Sequence, residues 1–205
     1  DLKRALASLY YSEDRVLIDM KKDGLSHQHK YRTIKNGSTK KEAWEEVSPA
    51  LYQKHREHLG MTIFSKPEGV FFDQAITVAS PPGYAYVGNP RYGRWQNEGG
   101  RSFWVFYGQY ALMRDLLWGP YRYRPVYRSS WNSYRTNQRS GRSYFGPKKR
   151  YGSKGSLTRT KYKSSNYVKR RSKRSGYRSS SYGSGRTSRS RGGRFSSSSY
   201  RGFGK

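Results

Sequence analysis

The alternation of apolar and polar positions divides the chain near residue 118. Ahead of that point apolar residues recur often enough to predict elements. Behind it the aliphatics thin to Val126, Leu157 and Val168 among Tyr, Arg, Lys, Ser and Gly. The densest apolar run, Phe103 to Trp118 (FWVFYGQYALMRDLLW), predicts a helix. Its sixteen residues would span about 24 Å at helical rise, short of the roughly 20 apolar residues a membrane span needs. Gly108, Gln109, Arg114 and Asp115 also interrupt it. A buried core helix is the reading adopted. The less favoured alternative is a helix lying in a membrane interface, which Trp104, Tyr107, Tyr110 and Trp118 would suit.

The earlier elements follow from period and punctuation. Asp1–Tyr11 places Leu2, Leu6 and Leu9 on one helical face. Arg15–Met20 reads as a strand closed by Lys22-Asp23-Gly24, with His29–Ile34 as its hairpin partner, ended by Asn36-Gly37. Thr39 and Glu42 form a capping-box pair, predicting a helix with Ala43, Trp44 and Val47 on its apolar face. Ser48-Pro49 restarts a helix, and Gly60 is placed to stop it. Met61–Phe64 and Val70–Val78 read as strands around Pro67-Glu68-Gly69. Residues 84–100 read as an aromatic, glycine-rich loop segment.

Composition sharpens the division. Only 33% of the 205 residues are hydrophobic and mean hydropathy is −1.09, so a core drawn evenly from the whole chain is not expected. Residues 1–120 hold 17 basic and all 13 acidic residues, a net +4; residues 121–205 hold the other 25 basic residues of the total of 42. The second part also contains 21 Ser, 11 Gly and 11 Tyr. These observations predict a small α+β domain over 1–118 and a long, disordered, cationic Tyr/Arg/Ser/Gly-rich tail over 119–205. With no cysteine in the chain, disulfides, thiolate metal sites and cysteine nucleophiles are excluded.

No catalytic pattern emerges. No serine lies in a Gly-x-Ser-x-Gly elbow, and there is neither a phosphate-binding Walker loop nor a dinucleotide fingerprint. His55 and His58, spaced i,i+3 beside Glu57, lack the further ligands a metal site requires and read as solvated helix residues. The acids of the first part read as surface charge. The expectation is a non-enzyme without metal or cofactor.

The positive signal is cation interleaved with aromatic. Its candidate binding residues are Tyr121, Arg122, Tyr123, Arg124, Tyr127, Arg128, Lys148, Lys149, Arg150, Tyr151, Lys169, Arg170, Arg171, Lys173, Arg174, Arg189, Arg191, Arg194 and Arg201. The cations would neutralise anionic groups and release counterions, and the tyrosines would offer stacking faces. Two polyanion classes fit. Arg-Gly-Gly (191–193), Arg-Gly-Phe (201–203) and the Ser-Arg dipeptides at 188–191 are like the arginine-rich tails of RNA-binding proteins. Anionic lipid headgroups or surface polymers of a bacterial envelope are the other class.

Pro82–Trp95 (PGYAYVGNPRYGRW), Phe103–Leu112 (FWVFYGQYAL) and the ending Arg201–Lys205 (RGFGK) resemble a group of uncharacterised bacterial proteins carrying a signal peptide or lipoprotein anchor. That resemblance implies an exported envelope protein, with which a processed N-terminus at Asp1 would agree, and it carries over no catalytic residue. The expected function is therefore adhesion to anionic polymers or lipid headgroups at the cell envelope. RNA or DNA binding in the cytoplasm or nucleus is the alternative, and a structural subunit whose tail orders on assembly is the third.

Overall fold

A computed structural model describes residues 6, 9–39, 42–110 and 125–181, with backbone alone at 109 and 174–181. The chain divides into two units, Asp1–Arg171 and Ser172–Lys205. The first is α+β, with two antiparallel sheets and short helices.

The first sheet grows from the expected hairpin. Strands β1 (Glu13–Asp23) and β2 (Ser26–Lys35) pair antiparallel, with Asp23 opposite Ser26. Gly24 and Leu25 make the turn, and Gly24 takes φ of 57°, where a side chain is disfavoured. Strand β5 (Thr62–Lys66) pairs on the other side of β1, while the short strands β3 (Ser38–Thr39) and β4 (Ala43–Glu46) both pair with β2.

Strand β1 is covered on both faces. Val16 and Ile18 look into an aromatic core with Tyr84, Tyr86, Tyr92, Trp104 and Tyr134. Leu17 and Met20 look into a second core with Tyr31, Tyr52 and Leu59. Leu17 and Met20 share a face although three positions apart, because the pairing shifts register between Leu17 and Asp19. An extra residue in one strand resets the alternation beyond it.

The run Phe103–Trp118 is not a helix where it is described. Phe103–Phe106 lie in β7 (Arg101–Phe106), which pairs with β6 (Gly93–Glu98) and β8 (Val126–Tyr127). Gly108–Tyr110 form a 3₁₀ turn, and 111–118 lie outside the described residues. A short apolar run fits strand and helix equally by period. Cross-strand pairing of Trp104 with Trp95, rings 5.2 Å apart, selects the strand. Residues 84–100 accordingly hold a strand as well as loops.

Three further expectations change. Ala43–Glu46 is β4 and not a helix. Glu42 is held across the sheet by Lys30 at 3.1 Å and Arg32 at 2.7 Å, and the Lys21 ammonium lies 4.8 Å above the Trp44 ring. These tertiary pairs outweigh a local capping preference. Val70–Val78 forms a 3₁₀ turn at Phe72–Gln74 and a single bridge, Ser65 to Ile76, instead of a strand. Helix α1 (Pro49–His55) starts where Ser48-Pro49 predicts, the Ser48 hydroxyl accepting from the Leu51 amide at 3.2 Å, but it stops ahead of Gly60. Most of Asp1–Tyr11 lies outside the described residues.

The largest correction concerns the domain boundary. Residues 125–171, expected in the tail, belong to the first unit. They supply α2 (Arg128–Arg139), α3 (Ser156–Lys161) and the start of α4 (Asn166–Ser181). Val126 and Tyr134 are buried in the aromatic core, with Trp131, Tyr144, Tyr151 and Tyr162 packed against it. Aliphatics are scarce here, but each buried aromatic removes about 150–250 Å² from water, so tyrosine does the work of leucine. Two glycines of the first half accept this second half. A Cβ on Gly88 would lie 2.4 Å from the Trp131 ring, and one on Gly60 would lie 2.8 Å from the Thr158 hydroxyl.

Candidate functional site

Tyr121, Arg122, Tyr123, Arg124, Arg189, Arg191, Arg194 and Arg201 lie outside the described residues, and Arg174 is described by backbone alone. The remaining candidates occupy folded positions. Tyr127 ends β8 and is 36% exposed, and Arg128 opens α2. Lys148 and Lys149 lie exposed on the 3₁₀ turn Pro147–Lys149, both with positive φ, followed by half-buried Arg150 and Tyr151. Lys169, Arg170, Arg171 and Lys173 are exposed on α4, and Arg170 donates to the Lys22 carbonyl.

Between residues 125 and 173 the chain carries 15 Lys and Arg and no Asp or Glu. The acids of the first half are largely committed to local cations: Glu13 to Arg15 and Lys35, Glu42 to Lys30 and Arg32, Glu68 to Arg91. Among the described residues, the ion pair that reaches into the second half is Glu57 with Lys154, at 2.7 Å. Most cations of that segment are thus held on a folded scaffold without a carboxylate partner among the described residues.

Several tyrosines described between 134 and 162 turn inward. Tyr134 is 3% exposed, its ring 5.5 Å from Tyr84 and 6.2 Å from Tyr144. Tyr151 and Tyr162 pack on the same core. Burial raises the phenol of Tyr134 to about 12, so it stays neutral. Tyr127 is the candidate tyrosine left substantially open among the described residues.

Arg128, like Arg135 at 5.3 Å from the Trp131 ring centre, lies against tryptophan. Its guanidinium lies 4.0 Å from the centre of the Trp95 ring and 5.8 Å from that of Trp131. Beside it is an open depression of about 390 Å³ lined by Gly100, Arg101, Ser102, Tyr127, Arg128 and Ser129. Strand pairing of β7 with β8 is what brings Arg101 and Ser102 to Tyr127 and Arg128. Trp95, Arg101 and Ser102 were not among the sequence candidates. The Gly99-Gly100 pair between polar-alternating segments was the signal of a hairpin that would have joined them.

The histidines are not solvated. His27, His29 and His55 are buried and His58 is half-buried. They form a continuous cluster: His29 to His55 at 6.1 Å between rings, His55 to His58 at 5.4 Å, and His27 and His29 against Tyr52 at 5.0 and 5.4 Å. The Nδ1 atoms of His55 and His58 are 3.2 Å apart. Desolvation lowers His29 to about 4, and desolvation with the neighbouring His58, His29 and Lys54 lowers His55 to about 4. No group of three or more ligating side chains suited to a metal occurs among the described residues.

Two acids read as surface charge are internal. Asp14 is 1% exposed and accepts from Ser65 and Tyr86, each at 2.5 Å. Asp19 accepts from the amides of Met20, Asn166 and Tyr167 and from the Asn166 side chain, so it caps α4 from a distant strand.

No helix of the described residues is long and apolar enough to cross a membrane. Compared with protein-family models, curated proteins and solved structures, the chain matches none.

Proposed function

We propose that this protein is a non-enzymatic polyanion-binding protein that adheres to anionic polymers or lipid headgroups of a bacterial envelope. The observation that carries this reading is the one-signed charge of residues 125–173, 15 cations and no acid, on a segment folded into the first unit as far as Arg171. A fixed scaffold holds the cations at reduced entropic cost to binding, and their summed field attracts any polyanion. Among the described residues, the inward turn of Tyr134, Tyr144, Tyr151 and Tyr162 favours recognition by charge over recognition by base stacking. This favours an envelope polymer or headgroup over single-stranded nucleic acid, where stacked bases contribute about 1–3 kcal/mol each.

Salt titration of the full chain on phosphatidylglycerol vesicles tests the reading. Affinity should fall steeply with added salt, as counterion release requires. The triple change Lys148→Glu, Lys149→Glu, Arg150→Glu should weaken binding at low salt. Salt-insensitive binding would sink the proposal. Much tighter binding of single-stranded RNA than of the vesicles at matched salt would replace it by the nucleic-acid reading.

A further inference from the structure

We propose that the depression between β7 and the β8–α2 junction is a subsite for a phosphate or sulfate monoester group, with Arg101 and Arg128 as its two anion-binding residues. This deepens the polyanion reading and rests on it for the identity of the larger ligand.

The geometry of Arg128 is the first ground. Its guanidinium is held 4.0 Å from the Trp95 ring centre, with Trp131 beyond at 5.8 Å. A guanidinium seated on an aromatic ring can still donate through its in-plane N–H edge, the edge that matches two oxygens of a tetrahedral oxyanion. Tryptophan contact also fixes the side chain beforehand, so less entropy is lost when an anion arrives. Arg94 and Arg135 lie on the same two elements, but neither lines the depression.

The second ground is the composition of the lining. Arg101, Arg128, two serines and the exposed Tyr127 line about 390 Å³, and no carboxylate residue is among the lining. Glu98 stands opposite Arg101 in the hairpin register but does not line the depression. The volume falls within the range of small-molecule sites, about 300–1,000 Å³, which leaves room for the glycerol or sugar that bears the ester. Tyr127 provides a flat apolar face for that group. The rim at Gly99 and Gly100 is open, with no atom within 4 Å of a Cβ placed on either. A polymer chain could therefore enter and leave while one of its esters sits in the depression.

The test uses the full chain and glycerol 1-phosphate, with glycerol and acetate as controls, read by calorimetry and by the indole NMR signal of Trp95. Saturable binding of glycerol 1-phosphate, with no response to glycerol and a weaker one to acetate, is expected. Arg101→Gln lies on an exposed strand position and should weaken binding about tenfold or more while leaving the melting temperature unchanged. Arg101→Lys keeps the charge but not the fork, and should fall between. Arg128→Gln should also shift the Trp95 signal in the unbound protein. Glycerol 1-phosphate binding that does not saturate, or that Arg101→Gln leaves intact, overturns the subsite. Acetate binding as tightly as the phosphate ester overturns the assigned chemistry. Vesicle binding that survives while the ester fails would remove the subsite alone. Ester binding without any vesicle or polymer binding would uphold the subsite and remove the broader reading.

Discussion

Asp14 and the histidines carry opposite pH dependences. Burial raises the Asp14 carboxyl from 3.8 to about 6, against the lowering effect of its bonds from Ser65 and Tyr86. Between those values the folded state holds more protons than the unfolded one, so Asp14 adds stability as pH falls from 7 towards 4. For His29 and His55, lowered from 6.5 to about 4, the unfolded state holds more protons. Their contribution is complete above the unfolded value and is lost as pH falls through the interval to 4. Each of the three groups is worth roughly 3 kcal/mol at the extremes, so two histidines outweigh one aspartate. Thermal unfolding should therefore show a melting temperature that declines from pH 7 to pH 4. Asp14→Asn should raise the melting temperature at pH 7 and steepen that decline, whereas His55→Gln should flatten it. A wild-type melting temperature that rises on acidification would mean the buried histidines are not neutral in the fold.

At the scale of elements, Asp19 shows how a strand irregularity positions a helix. The register shift beside it turns its carboxylate to the first turn of α4, where it accepts the Asn166 and Tyr167 amides at 2.9 and 3.1 Å. A carboxylate at a helix N-terminus satisfies donors that have no intrahelical partner and complements the helix dipole. Asp19→Ala removes that cap and leaves donors unmet, at a cost of about 1–3 kcal/mol. Hydrogen exchange should accelerate in residues 166–171 of the variant before it does in β2. Equal acceleration throughout would show that the cap stabilises the whole unit and not the helix in particular.

For the whole molecule, the relevant boundary is Arg171 and not Trp118. Val126, Tyr134, Tyr162 and Val168 all reach the two cores. Residues 1–118 alone would leave Trp104, Tyr84 and Leu17 without part of their cover. That fragment should be unfolded or aggregated by circular dichroism and fluorescence, while residues 1–173 should unfold cooperatively. A cooperatively folded 1–118 would restore the shorter domain. The same arrangement explains why the basic half can present a surface: its aromatics anchor it, and its cations remain outside.

The sequence by itself determined the charge division, the absence of cysteine chemistry, the β1–β2 hairpin, the Ser48-Pro49 helix start and the α+β class. Each depends on local period, a turn residue or composition, which a linear chain displays. The tertiary structure alone decided the rest. Phe103–Phe106 became a strand because Trp95 was available across the hairpin, and Ala43–Glu46 because Glu42 met Lys30 and Arg32. Tyr134 became core and the four histidines became one cluster because distant segments closed over them. Arg101 joined Arg128 through the pairing of β7 with β8. Amphipathic residues such as Tyr, His and Arg fit water and core alike, so their side is chosen by partners that no local pattern names.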